Sequence, residues 1–166
     1  MELDLRTVMR HFATGVGVVS TWTEEPSAPG GRRHDAITVN SLIPVSYGPP
    51  LVALSLRHGS VFLADLLTSG FWGVSILAAD AADTARTLAR PWEVRAGALR
   101  TLAASPGPHT GALLLDGPGW MECTLADTFT AGDHLMVIGS VVATGVREAQ
   151  NPLVFLHGSL APAPAA

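Results

Sequence analysis

Two long segments rich in β-branched and other apolar residues lie next to each other in the second half of the chain. They span residues 119–126 and 134–146, and the residues between them, 128–133, have the composition of a turn. This arrangement predicts a long antiparallel hairpin. A hairpin of this length is what the wall of an antiparallel β-barrel requires.

Shorter segments predict the rest of the barrel. Strands are predicted over residues 15–22, 34–40, 51–56, 71–77 and 153–156. Three helices are predicted. The first carries the helical spacing of Leu5, Val8, Met9 and Phe12 and would end at Gly15. The second spans residues 61–68, between an N-cap at Ser60 and a stop at Gly70, and the third runs from a cap at Asp80 to about Ala89. Residues 23–33 are predicted to form a loop, and residues 90–109 carry no clear pattern.

The order of these elements determines the fold class. Six or seven strands are accompanied by two or three short helices, which do not alternate with strands as they do in a doubly wound α/β fold. We therefore expect a mainly β protein, an antiparallel barrel formed by one domain over residues 1–160. The Ala/Pro-rich residues 161–166 are expected to be a disordered tail.

The composition of the chain favours self-association and argues against binding to nucleic acid. Hydrophobic residues make up 48% of the chain and charged residues 14%, against roughly 25% charged in an average soluble protein. Apolar surface left over in this way favours a homodimer. The net charge is −4, and the only adjacent basic pair is Arg32 and Arg33, so the sequence lacks the basic patch that nucleic-acid binding needs.

Cysteine and histidine usage argues against a disulfide and a metal site. Cys123 is the single cysteine, and the six histidines are scattered without ligand spacing. Trp120, Met121 and Cys123 are expected to pack in the core or at the dimer contact. Charged residues near the N-terminus and the lack of an apolar run of roughly 18 residues favour a cytoplasmic protein without a signal or membrane segment.

Residues 34–50 form the most unusual stretch. They set Thr38, Asn40, Ser41 and Ser46 at the end of a predicted strand, just before a proline pair. Backbone groups exposed at such a strand end can read the edge of a flat heterocycle, and the hydroxyls can bind a phosphate. Ser, Thr and Asn are also ordinary turn formers, and these residues taken alone favour that role.

Two further pieces carry possible chemistry. Arg57 and Ser60 flank the predicted start of a helix, which is a natural anion site; a capped helix with Arg57 in solvent is the alternative. His134 follows Gly132 and Asp133 at the hairpin turn, where it is able to bond a ligand or move a proton near neutral pH. A turn in which Asp133 bonds the backbone is the alternative there.

Taken in order, these pieces resemble the flavin reductase family, the small reductase components of two-component flavin-dependent monooxygenases. The resemblance runs from about Leu5 to Ser159. It is carried by Phe12-Ala-Thr-Gly-Val-Gly-Val-Val19, Thr38-Val-Asn-Ser41, Val45-Ser46, Pro49-Pro-Leu51, Ser60, residues 71–77, Trp120-Met-Glu-Cys123, Gly132-Asp-His134 and His157-Gly158. The chain departs from the family pattern at Ser75, over residues 90–100 and at Leu160.

The resemblance implies an FMN-binding split barrel, a Greek-key antiparallel barrel with two or three short helices, which dimerises and holds flavin in a groove near the subunit interface. Thr38, Asn40, Ser41, Val45 and Ser46 are then expected along the isoalloxazine and ribityl chain. The remaining residues that the resemblance assigns are Arg57 and Ser60 near the phosphate, Ser75 among the cofactor-binding positions, and His134 as the catalytic residue beside the nicotinamide.

The implied function is that of an NAD(P)H:flavin oxidoreductase. It would pass a hydride from NADH or NADPH to FMN or FAD and supply reduced flavin to a partner monooxygenase, with no metal. Two alternatives stay open: a flavoprotein of specialised metabolism that acts directly on an organic substrate, and a non-catalytic flavin-binding module.

Overall fold

The computed structural model describes residues 4–147 and 150–164. Strands dominate those residues. In chain order they are β1 (Thr14–Gly15), β2 (Gly17–Glu24), β3 (Arg32–Val39), β4 (Ile43–Tyr47), β5 (Pro50–Arg57), β6 (Phe71–Ile76), β7 (Ala104–Pro106), β8 (Leu113–Leu115), β9 (Gly119–Ala131), β10 (His134–Val146), β11 (Leu153–Leu156) and β12 (Ser159–Pro162). The helices are α1 (Leu5–Met9), α2 (Val61–Ser69), α3 (Ala82–Leu88) and α4 (Trp92–Leu99).

Seven of these strands form one antiparallel sheet in the order β3-β2-β6-β9-β10-β5-β4. Its two ends come together, because Val39 at the end of β3 and Leu54 in β5 belong to the same buried cluster. The sheet therefore curls into a barrel around that cluster, which confirms the predicted mainly β, antiparallel barrel. No helix within the described residues is long and apolar enough to cross a membrane.

Helix α2 supplies part of the barrel core and begins and ends as the sequence predicts. The Ser60 hydroxyl accepts a hydrogen bond from the Leu63 N–H at 3.2 Å, and Gly70 ends the helix in the left-handed conformation, with φ +73°. Phe62, Leu63 and Leu66 are buried in the barrel cluster. The caps fix where α2 starts, and hence where its N-terminus lies relative to Arg57.

The hairpin β9–β10 is longer than predicted. The turn was expected over residues 128–133, but β9 continues to Ala131 and only Gly132 and Asp133 connect the two strands. Gly132 has φ +63°, a conformation that a two-residue hairpin turn requires and that glycine adopts without strain. His134 is therefore the first residue of a strand, and its position is fixed by pairing on both sides.

Three other predictions were wrong in detail. Asp80 does not cap α3, which begins after Ala81 without a side-chain cap. The predicted disordered tail is paired at its start, since Ala161 and Pro162 lie in β12; residues 165–166 lie outside the described residues. The opening helix stops at Met9, short of Phe12, and none of its residues is buried.

Residues 90–109, where the sequence showed no pattern, contain α4 and β7. A buried ion pair holds α4 against β3. Arg95 donates to Asp35 twice, from Nε at 3.0 Å and from Nη2 at 2.6 Å, and also donates to the Arg90 carbonyl at 3.0 Å. Burial raises the pKa of Asp35 above its ordinary value, and the Arg95 guanidinium opposes that rise.

We predict that Arg95→Leu destabilises the fold by about 3–5 kcal/mol at neutral pH, because it leaves the Asp35 carboxylate buried without its partner. The variant removes the charge that opposes the rise in the Asp35 pKa, so the folded protein holds that proton more tightly than the unfolded chain does. The cost should shrink as the pH falls through this raised pKa.

Urea unfolding at several pH values measures this effect. Arg100→Leu, a change at the exposed C-cap of the same helix, is the matched control and should cost little. A loss of stability from Arg95→Leu that stays constant between neutral and acidic pH would contradict the proposed role of the pair.

Candidate functional site

A groove of about 630 Å³ opens beside the end of β3. Its walls come from three parts of the chain: the β3 end, α3, and the β11–β12 hairpin. They are formed by Val16, Thr38, Val39, Asn40, Ala85, Arg86, Ala89, Phe155, Gly158, Ser159 and Leu160. Volumes of about 300–1,000 Å³ are typical of small-molecule sites, and so is this mixture of apolar walls with a few polar groups.

Two of the predicted site residues, Thr38 and Asn40, line this groove. The Thr38 hydroxyl donates to the Ala85 carbonyl at 2.7 Å, which ties α3 to β3 and sets the width of the groove. Asn40 is exposed just beyond the strand end. The groove therefore has one polar edge, and Phe155 and the alanines of α3 form its apolar side.

Ser41 connects the groove to the next part of the site. Its hydroxyl donates to the Ser55 carbonyl at 3.0 Å and accepts from the Ser55 N–H at 3.3 Å. On β5, Leu54 and Leu56 are buried in the barrel, so Ser55 and Arg57 lie on the outer face. A row of polar residues thus runs from the groove along the outside of the barrel to Arg57.

Val45 and Ser46 lie on β4, the neighbour of β5. The pairing of β4 with β5 shifts between Pro44 and Ser46, which makes Val45 the extra residue of a bulge. The Val45 side chain is 50% exposed and Ser46 is half-buried opposite Leu51. The bulge turns this edge strand outward beside the polar row.

Arg57, Ser60 and His134 come together at the far end of that row, and we call this set the cationic corner. Arg57 on β5 pairs directly with His134 on β10, and Ser60 caps α2 three residues after Arg57. The Asp133 carboxylate accepts a hydrogen bond from His134 Nδ1 at 2.8 Å. That bond and the charge of His134 lower the pKa of Asp133, with a smaller contribution from Arg57.

The corner has the chemistry of an anion site. Arg57 and His134 are opposite each other on paired strands, and α2 begins shortly after Arg57; a guanidinium, an imidazole and the first N–H groups of a helix each attract negative charge, beside the exposed Asp133 carboxylate that His134 binds. The groove, the polar row and the corner together suit a ligand with a flat ring at one end and an anionic group at the other.

Ser75 does not join the other predicted residues. It is fully buried in β6, where its hydroxyl accepts a hydrogen bond from the Leu115 N–H at 2.9 Å. This bond attaches β8 to the barrel. The structure therefore gives Ser75 a role in the core and places it away from both the groove and the corner.

Sequence reasoning missed several groove residues, chiefly Arg86, Phe155 and the turn at Gly158. Arg86 lies on α3, where it pairs with the exposed Asp83 at 2.8 Å. Phe155 belongs to a strand that the sequence predicted, but nothing local indicated that this strand would face β3. The residues His157-Gly158 were a usable signal, since they follow that strand directly.

Other reactive groups are placed where they do not serve this site. Cys123 is buried in the barrel core, and desolvation raises the pKa of its thiol to about 12, so it is not a nucleophile. No group of three or more potential metal-ligating side chains lies together within residues 4–147 and 150–164.

Comparison with known families gives a direct match. The sequence profile described as "Flavin reductase like domain" matches residues 9–164 of this chain.

Two curated relatives span most of the chain. A protein named "Probable flavin reductase" from Rhizobium meliloti (strain 1021) is 33% identical over 139 residues, which cover 84% of this chain but only 42% of that protein. A "Flavin reductase (NADH)" from Kitasatospora aureofaciens is 32% identical over 158 residues, covering 93% of this chain and 78% of that protein.

Among solved structures, BorF is similar over its whole length. BorF is described as the flavin reductase component of a bacterial two-component tryptophan halogenase. It superposes with a TM-score of 0.87 at 31% identity, covering 98% of each chain.

Proposed function

The chain belongs to the flavin reductase like domain family, and from that premise we propose that it is an NAD(P)H:flavin oxidoreductase that supplies reduced flavin to a separate flavin-dependent monooxygenase. The resemblance that the sequence predicted is thereby confirmed at the level of family and fold. The observation that carries the proposal is the family match over nearly the whole chain, joined to a groove from which a row of polar residues leads to the cationic corner.

The residues of the groove fit a flavin ring. An isoalloxazine is flat, with apolar faces and one hydrogen-bonding edge. Phe155, Ala85 and Ala89 offer apolar contact, while Thr38 and Asn40 lie at the polar edge. When bound, flavin would supply the redox chemistry by taking up a hydride from the reduced nicotinamide and leaving as reduced flavin.

The polar row orients the rest of the flavin. Ser41 and Ser55 lie between the groove and the corner, where a ribityl chain would pass. Arg57 and the N-terminus of α2 at Ser60 would then hold the terminal phosphate of FMN, or the first phosphate of FAD. The protein's contribution is mainly to orient two stacked rings, for which no metal or strong acid is required.

His134 is proposed to position the nicotinamide. It lies at the rim of the barrel at the start of β10, with 39% of its side chain exposed, and Asp133 holds its ring by Nδ1. Since Nδ1 is occupied by Asp133, Nε2 is the nitrogen left to face a ligand. The Kitasatospora relative is named for NADH, and we infer NADH as the reductant here.

A homodimer is the assembly that we infer from the exposed surface. Leu5, Val8, Met9 and Phe12 share one side of α1 and the turn after it, and they point into solvent with exposures of 49–69%. An apolar face turned away from its own core needs cover. The edge strand β4 presents a second apolar surface, with Tyr47 at 89% exposure. A second copy of the chain would cover both surfaces at once.

We predict that changing Arg57 and Ser60 to alanine together weakens FMN at least about tenfold and leaves riboflavin affinity within about twofold. Riboflavin lacks the phosphate, and each lost hydrogen bond to a charged group is worth roughly 1.5–3 kcal/mol. Flavin fluorescence titration measures both affinities. Arg100→Ala, an exposed change elsewhere, is the control.

Ser60→Asp separates phosphate binding from helix capping. Aspartate caps a helix as well as serine does but repels a phosphate, so this variant should stay folded and still lose FMN. Equal weakening of FMN and riboflavin by the double variant would place the phosphate elsewhere.

We predict that the purified protein oxidises NADH in the presence of FMN or FAD, and that His134→Ala impairs this reaction far more than flavin binding. If His134 only orients the dinucleotide, KM for NADH rises with kcat little changed; if it acts in the transition state, kcat falls too. Steady-state kinetics at saturating flavin measure the split. The control is His109→Ala, which removes an exposed histidine on a distant loop.

The outcomes separate the possible functions. A yellow protein without NADH oxidation would replace the proposal with a flavoprotein acting on another substrate or a binding module. Unchanged NADH kinetics in His134→Ala, with the wild type active, would remove His134 from the site while leaving the reductase assignment intact.

We predict that Val8→Asp together with Phe12→Asp converts a homodimer into a monomer. The two charges would enter the apolar face that the second copy covers, where they cannot be hydrated. Sedimentation velocity at micromolar concentration measures the assembly. Val146→Asp, which changes a 76% exposed valine at the end of β10, outside the apolar face of α1, should leave the dimer intact. A wild-type monomer that still binds flavin would overturn the dimer.

A further inference from the structure

A second recess, of about 570 Å³, lies at the opposite end of the β2–β3 pair from the groove. We call it the distal recess. It is lined from the sheet by Trp22, Arg32, Phe71 and Thr124, and from the other side by the loop of residues 106–111. It shares no residue with the groove or with the cationic corner, so a ligand bound there would not occupy either of them.

A buried carboxylate holds the loop of the distal recess in place. Glu122 of β9 is fully buried and accepts hydrogen bonds from the Thr110 N–H and hydroxyl, both at 2.7 Å, and from the His109 N–H at 3.2 Å. On the recess side, Trp22 Nε1 donates to the Thr110 carbonyl at 2.9 Å. These bonds tie the loop to both β9 and β2. The recess therefore has a fixed shape of its own, which lowers the entropy that a ligand loses on binding.

Arg32 is held in the distal recess by packing. Its guanidinium carbon lies 3.8 Å from the centroid of the Trp22 ring, and its Nη1 comes within 2.8 Å of where a Cβ at Gly111 would lie. The neighbouring Arg33 forms two ion pairs. Within residues 4–147 and 150–164 no carboxylate pairs with Arg32, and this includes Glu24, which lies opposite it on β2. Arg32 thus offers a positioned guanidinium whose charge has no counterpart among the described side chains.

The lining indicates the chemical class of the ligand. None of the described residues that line the recess is acidic, and a guanidinium binds a carboxylate through two parallel hydrogen bonds. The rings of Trp22 and Phe71 lie 5.2 Å apart and are tilted by 53°, so they offer ring faces and edges to a third aromatic group. Pro106 and Pro108 add apolar surface on the loop side.

We propose that the distal recess binds a small planar aromatic carboxylate, with its ring against Phe71 and the loop prolines and its carboxylate on Arg32. The proposal goes beyond the proposed function and does not rest on it, because the recess is separate from the groove and the corner. The protein would then bind a third class of small molecule in addition to flavin and nicotinamide.

Isothermal titration with 1-naphthoate, with and without saturating FMN, tests the charged half of the site. Arg32→Gln removes the charge and should weaken 1-naphthoate at least about tenfold, because the carboxylate loses its charged partner. The amide 1-naphthamide has the same ring without the charge, and its affinity should be the same in the variant and the wild type. Arg100→Gln, which changes an exposed arginine outside the recess, is the matched control.

A second variant tests the aromatic half. Phe71→Leu keeps an apolar side chain but removes the flat ring, so it should weaken 1-naphthoate and 1-naphthamide together. The midpoint of thermal unfolding shows that each variant is folded.

Three outcomes would overturn the proposal. One is wild-type binding of 1-naphthoate weaker than about 1 mM. Another is unchanged 1-naphthoate binding in Arg32→Gln, and the third is displacement of 1-naphthoate by FMN, which would place it in the flavin groove. A wild-type protein that binds 1-naphthoate through Arg32 but neither binds flavin nor oxidises NADH would overturn the proposed function alone, so the two failures are distinguishable.

Discussion

The curl of the seven-stranded sheet around Trp72 is the constraint on which the site depends. Trp72 is fully buried, and its ring fills the space where a side chain at Gly139 of β10 would lie. Only glycine at 139 lets β10 pass over the ring, and the β9–β10 register shifts next to that residue. At the other side of this curl the end of β3 reaches β5, where Ser41 bonds Ser55 and the groove meets the polar row.

Buried polar groups fix the positions of the loop before β8 and of α4, which packing in the apolar core does not determine. The Glu122 carboxylate is fully buried and accepts hydrogen bonds from the backbone N–H groups of His109 and Thr110 and from the Thr110 hydroxyl. A Cβ at Gly107 would overlap that carboxylate. Such groups add little net stability once desolvation is counted, but each accepts a single arrangement of its partners. They specify where the loop before β8 lies, as Asp35 does for α4.

The sequence predicted what local chemistry determines and missed what distant contacts determine. The caps of α2 at Ser60 and Gly70 were readable because capping depends on neighbouring residues. Arg57 was predicted beside Ser60 for the same reason. By contrast, α4 has no strong periodic pattern and is held by the pairing of Arg95 with Asp35, 60 residues away. Ser75 was assigned to the cofactor by its position in a family pattern, whereas in the structure it is buried and its hydroxyl accepts a hydrogen bond from the N–H of Leu115, 40 residues away. The groove could not be assembled from the sequence, because its walls come from three separate segments.

In helix α1 the polar side faces the protein and the apolar side faces solvent, the opposite of a helix that packs on its own core. Thr7, Arg10 and His11 share the side that faces the body of the protein, and the apolar side, with Val8 and Met9, faces solvent. No buried apolar side chain of α1 holds it in place, so the contacts of Arg10 and His11 with His157 and the pairing of β1 with β11 do so.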